Sequence, residues 1–212
     1  MASIVNIGRR VELVPIDTHF KDITIALYRQ QVHAQAVYRV HTYSQLEGAT
    51  NRIQAVVKSM CILGGMQETS DGLICFPCGE RHEAACRRVF LEACKHASDT
   101  PVEPRPLHTL DKKSQLTIFV ESVGNGIYNV SSNGEGRSAT RRVTAIAGGL
   151  KKLGEMNSDA ENSDASINFS CGHSHDALVG LLLVRAPNVR VILRQEEVSA
   201  SRGVLSAPSQ QT

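Results

Sequence analysis

Apolar residues recur along this chain in two patterns, one typical of strands and one typical of helices. Each half begins with two short runs rich in β-branched and aromatic residues, and Gly124-Asn125-Gly126 between the second pair is a strong hairpin signal. Downstream, apolar residues return every three or four positions, as on the buried face of an amphipathic helix. We therefore expect two helices that face a core through Ile53, Val56, Val57, Met60 and Leu63 and through Val143, Ile146, Ala147, Leu150 and Leu153.

The order of the predicted elements is the same in both halves. Each half is expected to run strand, strand, helix, strand, helix. The short third strand is predicted at Leu73 to Phe76 and again at Ile167 to Phe169. The second helix is predicted from about Glu80 to Lys95 and from about Ser174 to Ala186.

Residue identities follow the same repeat. Ala49-Thr50-Asn51-Arg52 matches Ala139-Thr140-Arg141-Arg142, and Leu63-Gly64-Gly65-Met66 matches Leu153-Gly154-Glu155-Met156. Apart from short length changes in two loops, the register of these matches is steady over a whole half, which is not expected by chance. We therefore predict an α+β fold made by tandem internal duplication of a ββαβα unit. Its two lobes would be related by a pseudo-two-fold axis, with antiparallel sheets and helices packed on one face.

This repeat divides the chain into six predicted segments. They are an N-terminal strand or extension (1–20), the first ββαβα repeat (21–98), a Pro-rich linker (99–114), the second repeat (115–187), a C-terminal helix or strand (188–205) and a disordered tail (206–212). The prolines of Pro101-Val102-Glu103-Pro104-Arg105-Pro106 stiffen the linker, so we expect it to act as a spacer between the lobes.

One motif, F-x-C-G-x-x-H-[E/D], occurs at the corresponding place in each half, at residues 76–83 and 169–176. A Cys and a His four residues apart at the start of a helix can point the same way. Thiolates and imidazoles are also the preferred ligands of zinc. If the two copies meet at the pseudo-axis, they supply a closed tetrahedral zinc site. The predicted ligands are Cys78, His82, Cys171 and His175, with His173 and Cys75 as alternates.

The same residues allow other chemistry. A thiol near a helix N-terminus loses its proton more easily, so Cys171 with His175, or Cys78 with His82, could form a nucleophile and its base. The amides that follow the motif glycines could bind an anion instead. Purely structural roles are a simpler interpretation: a buried thiol, a glycine in a tight turn and an imidazole bonded to a carbonyl.

Cys75-Phe76-Pro77-Cys78 has the C-x-x-C spacing of a redox dithiol. The second copy has Asn168 in place of Cys75, so the dithiol is not part of the repeated unit. The alternating parallel βαβ order that usually accompanies such a motif is also absent. The pattern does not favour a dithiol role for this pair.

Composition argues against several classes of protein. The net charge of +2 and the aromatic content of 4%, without Trp, are not typical of nucleic-acid binding. The longest apolar run, Leu178 to Val184, is too short to span a membrane, and the first residues lack the pattern of a signal peptide. We therefore predict a cytoplasmic protein that binds neither nucleic acid nor membrane and keeps its six cysteines reduced.

The run from Leu178 to Val184 is apolar nearly all round, which indicates a buried helix or a contact surface. A protein partner or a second copy could bind there through Leu178, Leu181 and Leu182. No P-loop, dinucleotide-binding or hydrolase motif occurs, so an enzyme is less favoured. The sequence favours a binding or scaffold protein; the alternatives are a zinc-binding module and a Cys-thiolate enzyme or thiol-redox protein.

Overall fold

The structure, a computed structural model, describes residues 10–15, 23–32, 34–96, 102–158 and 165–189. Within these residues the fold is α+β, with two antiparallel sheets and four α-helices, which confirms the α+β part of the predicted fold. The C-terminal helix or strand was predicted at 188–205, and all of it from residue 190 onward lies outside the described residues. The predicted tail at 206–212 also lies outside them.

The first sheet contains five strands. In chain order they are β1 (Arg10–Pro15), β2 (Thr24–Val32), β3 (Gln35–Thr42), β4 (Gln67–Glu68) and β5 (Ile74–Cys75). They lie in the spatial order β1-β2-β3-β5-β4. Successive residues 25–28 of β2 are all buried, although they alternate between the two faces of the sheet. Both faces of this sheet are therefore covered at β2.

The second sheet has the same strand order, β6-β7-β8-β10-β9. Its strands are β6 (His108–Asp111), β7 (Leu116–Gly124), β8 (Ile127–Ser132), β9 (Asn157–Ser158) and β10 (Ser166–Asn168). The turn between β7 and β8 lies at Asn125 and Gly126, both with positive φ, as its sequence predicts. Along β7, Ile118 and Val120 are buried while Phe119 is exposed. One face of this sheet is therefore turned to the core.

The four helices are α1 (Ala49–Gly64), α2 (Glu83–Lys95), α3 (Gly136–Gly154) and α4 (Asp176–Leu183). The predicted apolar stripes of α1 and α3 are buried, apart from a half-buried Ile53. None of the described helices has both the length and the apolar character needed to cross a membrane.

The predicted bounds of α2 and α4 were partly wrong. α2 begins at Glu83 rather than Glu80, and α4 begins at Asp176 rather than Ser174. Residues 80–82 and 174–175 have no regular secondary structure instead, and His82 itself has a left-handed φ of 37°, which a right-handed helix cannot contain. α4 also ends at Leu183, before a single 3-10 turn at Ala186–Asn188.

Buried side chains from both halves form one hydrophobic core. α1 packs on α2 and α3 on α4, but α1 also packs on α4 and α2 on α3. Polar contacts join the halves too: Arg88 Nε donates to the carbonyl oxygen of Leu153 at 3.1 Å, and Arg185 Nη2 donates to Glu92 Oε2 at 2.5 Å. The two halves therefore share a core and do not pack as separate bodies.

The three leucines predicted as a possible contact surface for a partner lie within this core. Leu178 and Leu182 are 0% exposed and Leu181 is 5% exposed. In the structure these three side chains contact the chain's own interior.

Part of the segment predicted as a linker is a strand. β6 forms the edge of the second sheet, and the Asp111 carboxylate at its end is 1% exposed. Arg142 and Ser114 donate hydrogen bonds to this carboxylate, and the Arg142 contact in particular holds its pKa well below the usual range. This ion pair between a buried carboxylate and a partly exposed guanidinium ties β6 to α3. The segment therefore contributes to the fold and is more than a spacer.

Gly180 on α4 lies directly against this segment. A Cβ at Gly180 would stand 2.2 Å from the carbonyl oxygen of Arg105, which is closer than atoms approach. Alanine normally favours a helix over glycine by about 1 kcal/mol. We nevertheless expect Gly180→Ala to lower the melting temperature in thermal unfolding, because backbone must move to admit the methyl group. A melting temperature at or above that of the parent protein would contradict this packing.

Candidate metal centre

Each copy of the motif begins with a tight turn. The Gly79 amide donates to the Phe76 carbonyl oxygen at 2.9 Å, and the Gly172 amide donates to that of Phe169 at 3.1 Å. Both glycines have left-handed φ values, 77° and 69°, which a residue with a Cβ adopts only under strain. The preceding Cys therefore lies at the tip of a turn before the helix. His82 and His175 lie directly before α2 and α4 and not one turn inside them, contrary to the sequence-based expectation.

Each sulfur accepts a hydrogen bond from the amide two residues later. The Glu80 amide lies 3.4 Å from Cys78 Sγ, and the His173 amide lies 3.5 Å from Cys171 Sγ. Amide donors favour the thiolate, which is the form of Cys that binds metals. These contacts also occupy two of the amides that a bound anion would need, so the geometry does not favour the predicted anion site.

The two motifs meet between the halves of the protein. Ligand atoms of Cys78, His82, Cys171 and His175 all lie within 4.8 Å of one another, and we call these four residues the Cys2His2 cluster. Within each motif the Cys Sγ to His Nε2 distance is 3.2 or 3.3 Å. Bonds of about 2.3 Å to sulfur and about 2.0–2.1 Å to nitrogen separate tetrahedral zinc ligands by about 3.3–3.8 Å. The cluster could therefore hold a metal ion.

Two buried phenylalanines enclose the imidazoles of the cluster. The rings of His82 and His175 lie 4.7 Å apart. Phe76 lies 5.1 and 5.6 Å from these two rings, and Phe169 lies 5.3 and 4.9 Å from them, all in edge-on contacts. Each phenylalanine thus contacts the imidazole of the other half as well as its own. Packing from both halves fixes the positions of the imidazoles.

Burial shifts the pKa of both imidazoles of the cluster and of the Cys78 thiol. It lowers the pKa of His82, and it lowers the pKa of His175 to about 4, with the neighbouring His82 adding to that effect. Neutral imidazole is the form that binds metals. Burial raises the pKa of Cys78 to about 11, so a cation is needed to displace its proton near neutral pH. A thiol with a raised pKa is a poor nucleophile, which argues against a thiolate enzyme at Cys78.

Buried tyrosines at matching positions of the two hairpins hold the motif backbone. The Tyr38 hydroxyl donates a hydrogen bond to the Arg81 carbonyl oxygen. The Tyr128 hydroxyl accepts from the His175 amide at 2.5 Å and donates to Asp176 Oδ1 at 2.8 Å. Sequence reasoning did not identify either tyrosine as part of the site. Their matching positions in the two halves of the sequence were the signal that could have identified them.

The two alternate ligands lie outside the cluster. Cys75 is 4% exposed and belongs to a second, smaller apolar cluster, where its Sγ accepts a hydrogen bond from Gln35 Nε2 at 3.2 Å. His173 is exposed, and its Nδ1 lies 2.8 Å from the carbonyl oxygen of Cys171. Cys75 and Cys78 are both free thiols. Strand alternation explains the position of Cys75, because its neighbour Ile74 faces the main core.

Comparisons with known proteins identify no family for this chain. No protein-family model matches it, and neither a curated protein nor a solved structure matches it. The functional argument therefore depends on the geometry of the Cys2His2 cluster.

Proposed function

We propose that this is a zinc-binding protein in which the Cys2His2 cluster joins the two halves of a duplicated chain. The observation that carries the proposal is the meeting of the two motifs, with four ligand atoms within 4.8 Å of one another. Four protein ligands fill a tetrahedral site and leave no position for a substrate. The metal would therefore stabilise the fold and would not act as a catalyst.

The ligand types favour zinc over other biological metals. Calcium and magnesium prefer oxygen ligands, and no carboxylate belongs to the group of ligand atoms found among the described residues. Two thiolates with two imidazoles in a tetrahedral arrangement are typical of structural zinc. A cytoplasmic location, which keeps thiols reduced, fits this use of the cysteines.

Three paired features support an origin by duplication of a ββαβα unit. The two sheets have the same spatial order, and the two Cys-Gly turns make the same backbone hydrogen bond. Tyr38 and Tyr128 are both 0% exposed at equivalent strand positions. We infer a pseudo-two-fold axis that passes through the cluster, so that each lobe supplies one Cys and one His.

Metal content tests the zinc proposal directly. Tag-free protein purified under reducing conditions and without chelators is expected to hold about one zinc ion per chain by elemental mass spectrometry. Cobalt(II) in place of zinc should give the visible absorption bands of a tetrahedral site and the near-ultraviolet bands of thiolate ligation. Absence of both signals after reconstitution with excess metal would overturn the proposal.

Tyr128→Phe is expected to weaken zinc binding about 10-fold, because outer hydrogen bonds that orient ligands typically contribute that much. Phenylalanine keeps the buried ring, but it cannot accept a hydrogen bond from the His175 amide or donate one to the Asp176 carboxylate. Competition with a chromogenic chelator measures the change in Kd. Tyr43→Phe is the matched control, since Tyr43 is 64% exposed, and its Kd should equal that of the parent. An unchanged Kd for Tyr128→Phe would mean that this contact does not orient the ligand.

A further inference from the structure

The Cys2His2 cluster contains two of the three partly exposed cysteines. Cys78 and Cys171 belong to the cluster, Cys61 is partly exposed outside it, and Cys75, Cys86 and Cys94 are buried. The two sulfurs come from opposite halves and lie within 4.8 Å of each other. Two partly exposed cysteines therefore already have neighbouring thiols.

Open space adjoins the turns that carry these sulfurs. A Cβ placed at Gly172 would meet nothing within 4 Å, and one at Gly79 would meet only the side chain of Gln35. A disulfide requires a sulfur–sulfur distance of about 2.05 Å, so the sulfurs need to approach by less than about 3 Å. Movement at two turn tips on the surface can supply that approach.

We propose that Cys78 and Cys171 form a redox switch, in which a peroxide converts them to a disulfide between the two halves and the zinc ion is released. The zinc-release part rests on the proposed function, because the released metal is the one that the cluster binds. The geometry thus points to a dithiol with one Cys from each half. It differs from the C-x-x-C pair of the sequence, in which both thiols belong to the first half. Cys75 cannot easily take that role, because its side chain lies in a separate apolar cluster.

The reaction balances with a peroxide as the only oxidant. One thiolate attacks an oxygen of hydrogen peroxide, the O–O bond and the Zn–S bond of that thiolate break, and a sulfenic acid forms while the leaving hydroxide takes a proton to become water. The second thiolate then attacks the sulfenic sulfur, forms the S–S bond and expels hydroxide, which a second proton converts to water. Each sulfur loses one electron, the peroxide gains two, and zinc stays divalent. Two imidazoles alone then remain as ligands, which is too few to retain the ion.

The test uses the full chain loaded with zinc and treated with hydrogen peroxide. We expect complete zinc release, followed with a chromogenic chelator, and the loss of one pair of thiols for each ion released. Peptide mapping should show Cys78 linked to Cys171. A thiol reductant should then restore both thiols and allow zinc to bind again. Cys61→Ser is the matched control, since Cys61 is also partly exposed but lies outside the cluster, and it should respond as the parent does.

Other outcomes separate this inference from the proposed function. Zinc that stays bound under peroxide, release with sulfinic acids and no link, or a Cys75–Cys78 link would each overturn the switch while leaving the zinc site standing. Protein that holds no zinc before peroxide is added would overturn the proposed function and zinc release together. In that case peptide mapping alone decides whether the two thiols pair.

Discussion

Cys171→Ser is expected to abolish stoichiometric zinc binding and to lower the melting temperature of the entire chain. Serine is nearly the same size, and Cys171 is partly exposed, so packing at this turn should change little. The loss would come from the metal, since binding to a structural site is coupled to folding and contributes about 10–16 kcal/mol in zinc-finger peptides. Because the cluster joins both halves, both should lose stability together. Elemental analysis and thermal unfolding on the same samples measure the two effects.

Two comparisons make this result specific. Cys61→Ser should keep its zinc and most of its stability, since Cys61 lies outside the cluster. The parent protein with excess chelator should melt near the temperature of Cys171→Ser, because both lack the metal. If Cys171→Ser melts as the parent does, and the parent holds no metal, the zinc proposal fails.

Leu182→Asp is expected to unfold the chain. Leu182 is 0% exposed, and the Asp carboxylate would be buried without a partner among apolar side chains. Such burial costs several kcal/mol, which is comparable with the total stability of about 5–15 kcal/mol of an ordinary domain. Circular dichroism should show loss of helix, and size-exclusion chromatography should show an expanded or aggregated species.

Val184→Asp is the matched control for this substitution. Val184 follows α4 directly and is 50% exposed, so its change in the free energy of unfolding should stay within about 0.5 kcal/mol. If Leu182→Asp instead converts a folded oligomer into a folded monomer, the helix is a contact surface. That result would support association through Leu178, Leu181 and Leu182, which remains a prediction.

Periodicity in the sequence predicted the long elements well. The stripes of α1 and α3 repeat every three or four residues over several turns, and only a helix buries such a stripe. Short strands have no such signal: β4 and β9 have two residues each, and β6 has polar residues at three of its four positions. Their pairing depends on the sheet that receives them and not on their own residue pattern.

The candidate site was predictable in its residues but not in its assembly. The motif that occurs twice in the sequence singled out one Cys and one His in each half, and the spacing made them plausible ligands. Whether the two copies would meet depended on how the helices of the two halves pack, which is a tertiary property. The tyrosine contacts could not be predicted for a similar reason. A hydroxyl that forms a hydrogen bond with backbone distant in the chain leaves no local pattern in the sequence. A binding or scaffold role, which the sequence favours, remains a prediction beside the zinc proposal.

The packing of α1 on α4 has a consequence for synthesis on the ribosome. Chains emerge N-terminus first, and α1 ends at Gly64 while α4 ends at Leu183. The first half therefore leaves the exit tunnel well before the helix that covers part of its apolar surface. Until then that surface is open to chaperones and to neighbouring nascent chains, so α4, the last of the described α-helices to emerge, completes the fold of the first half.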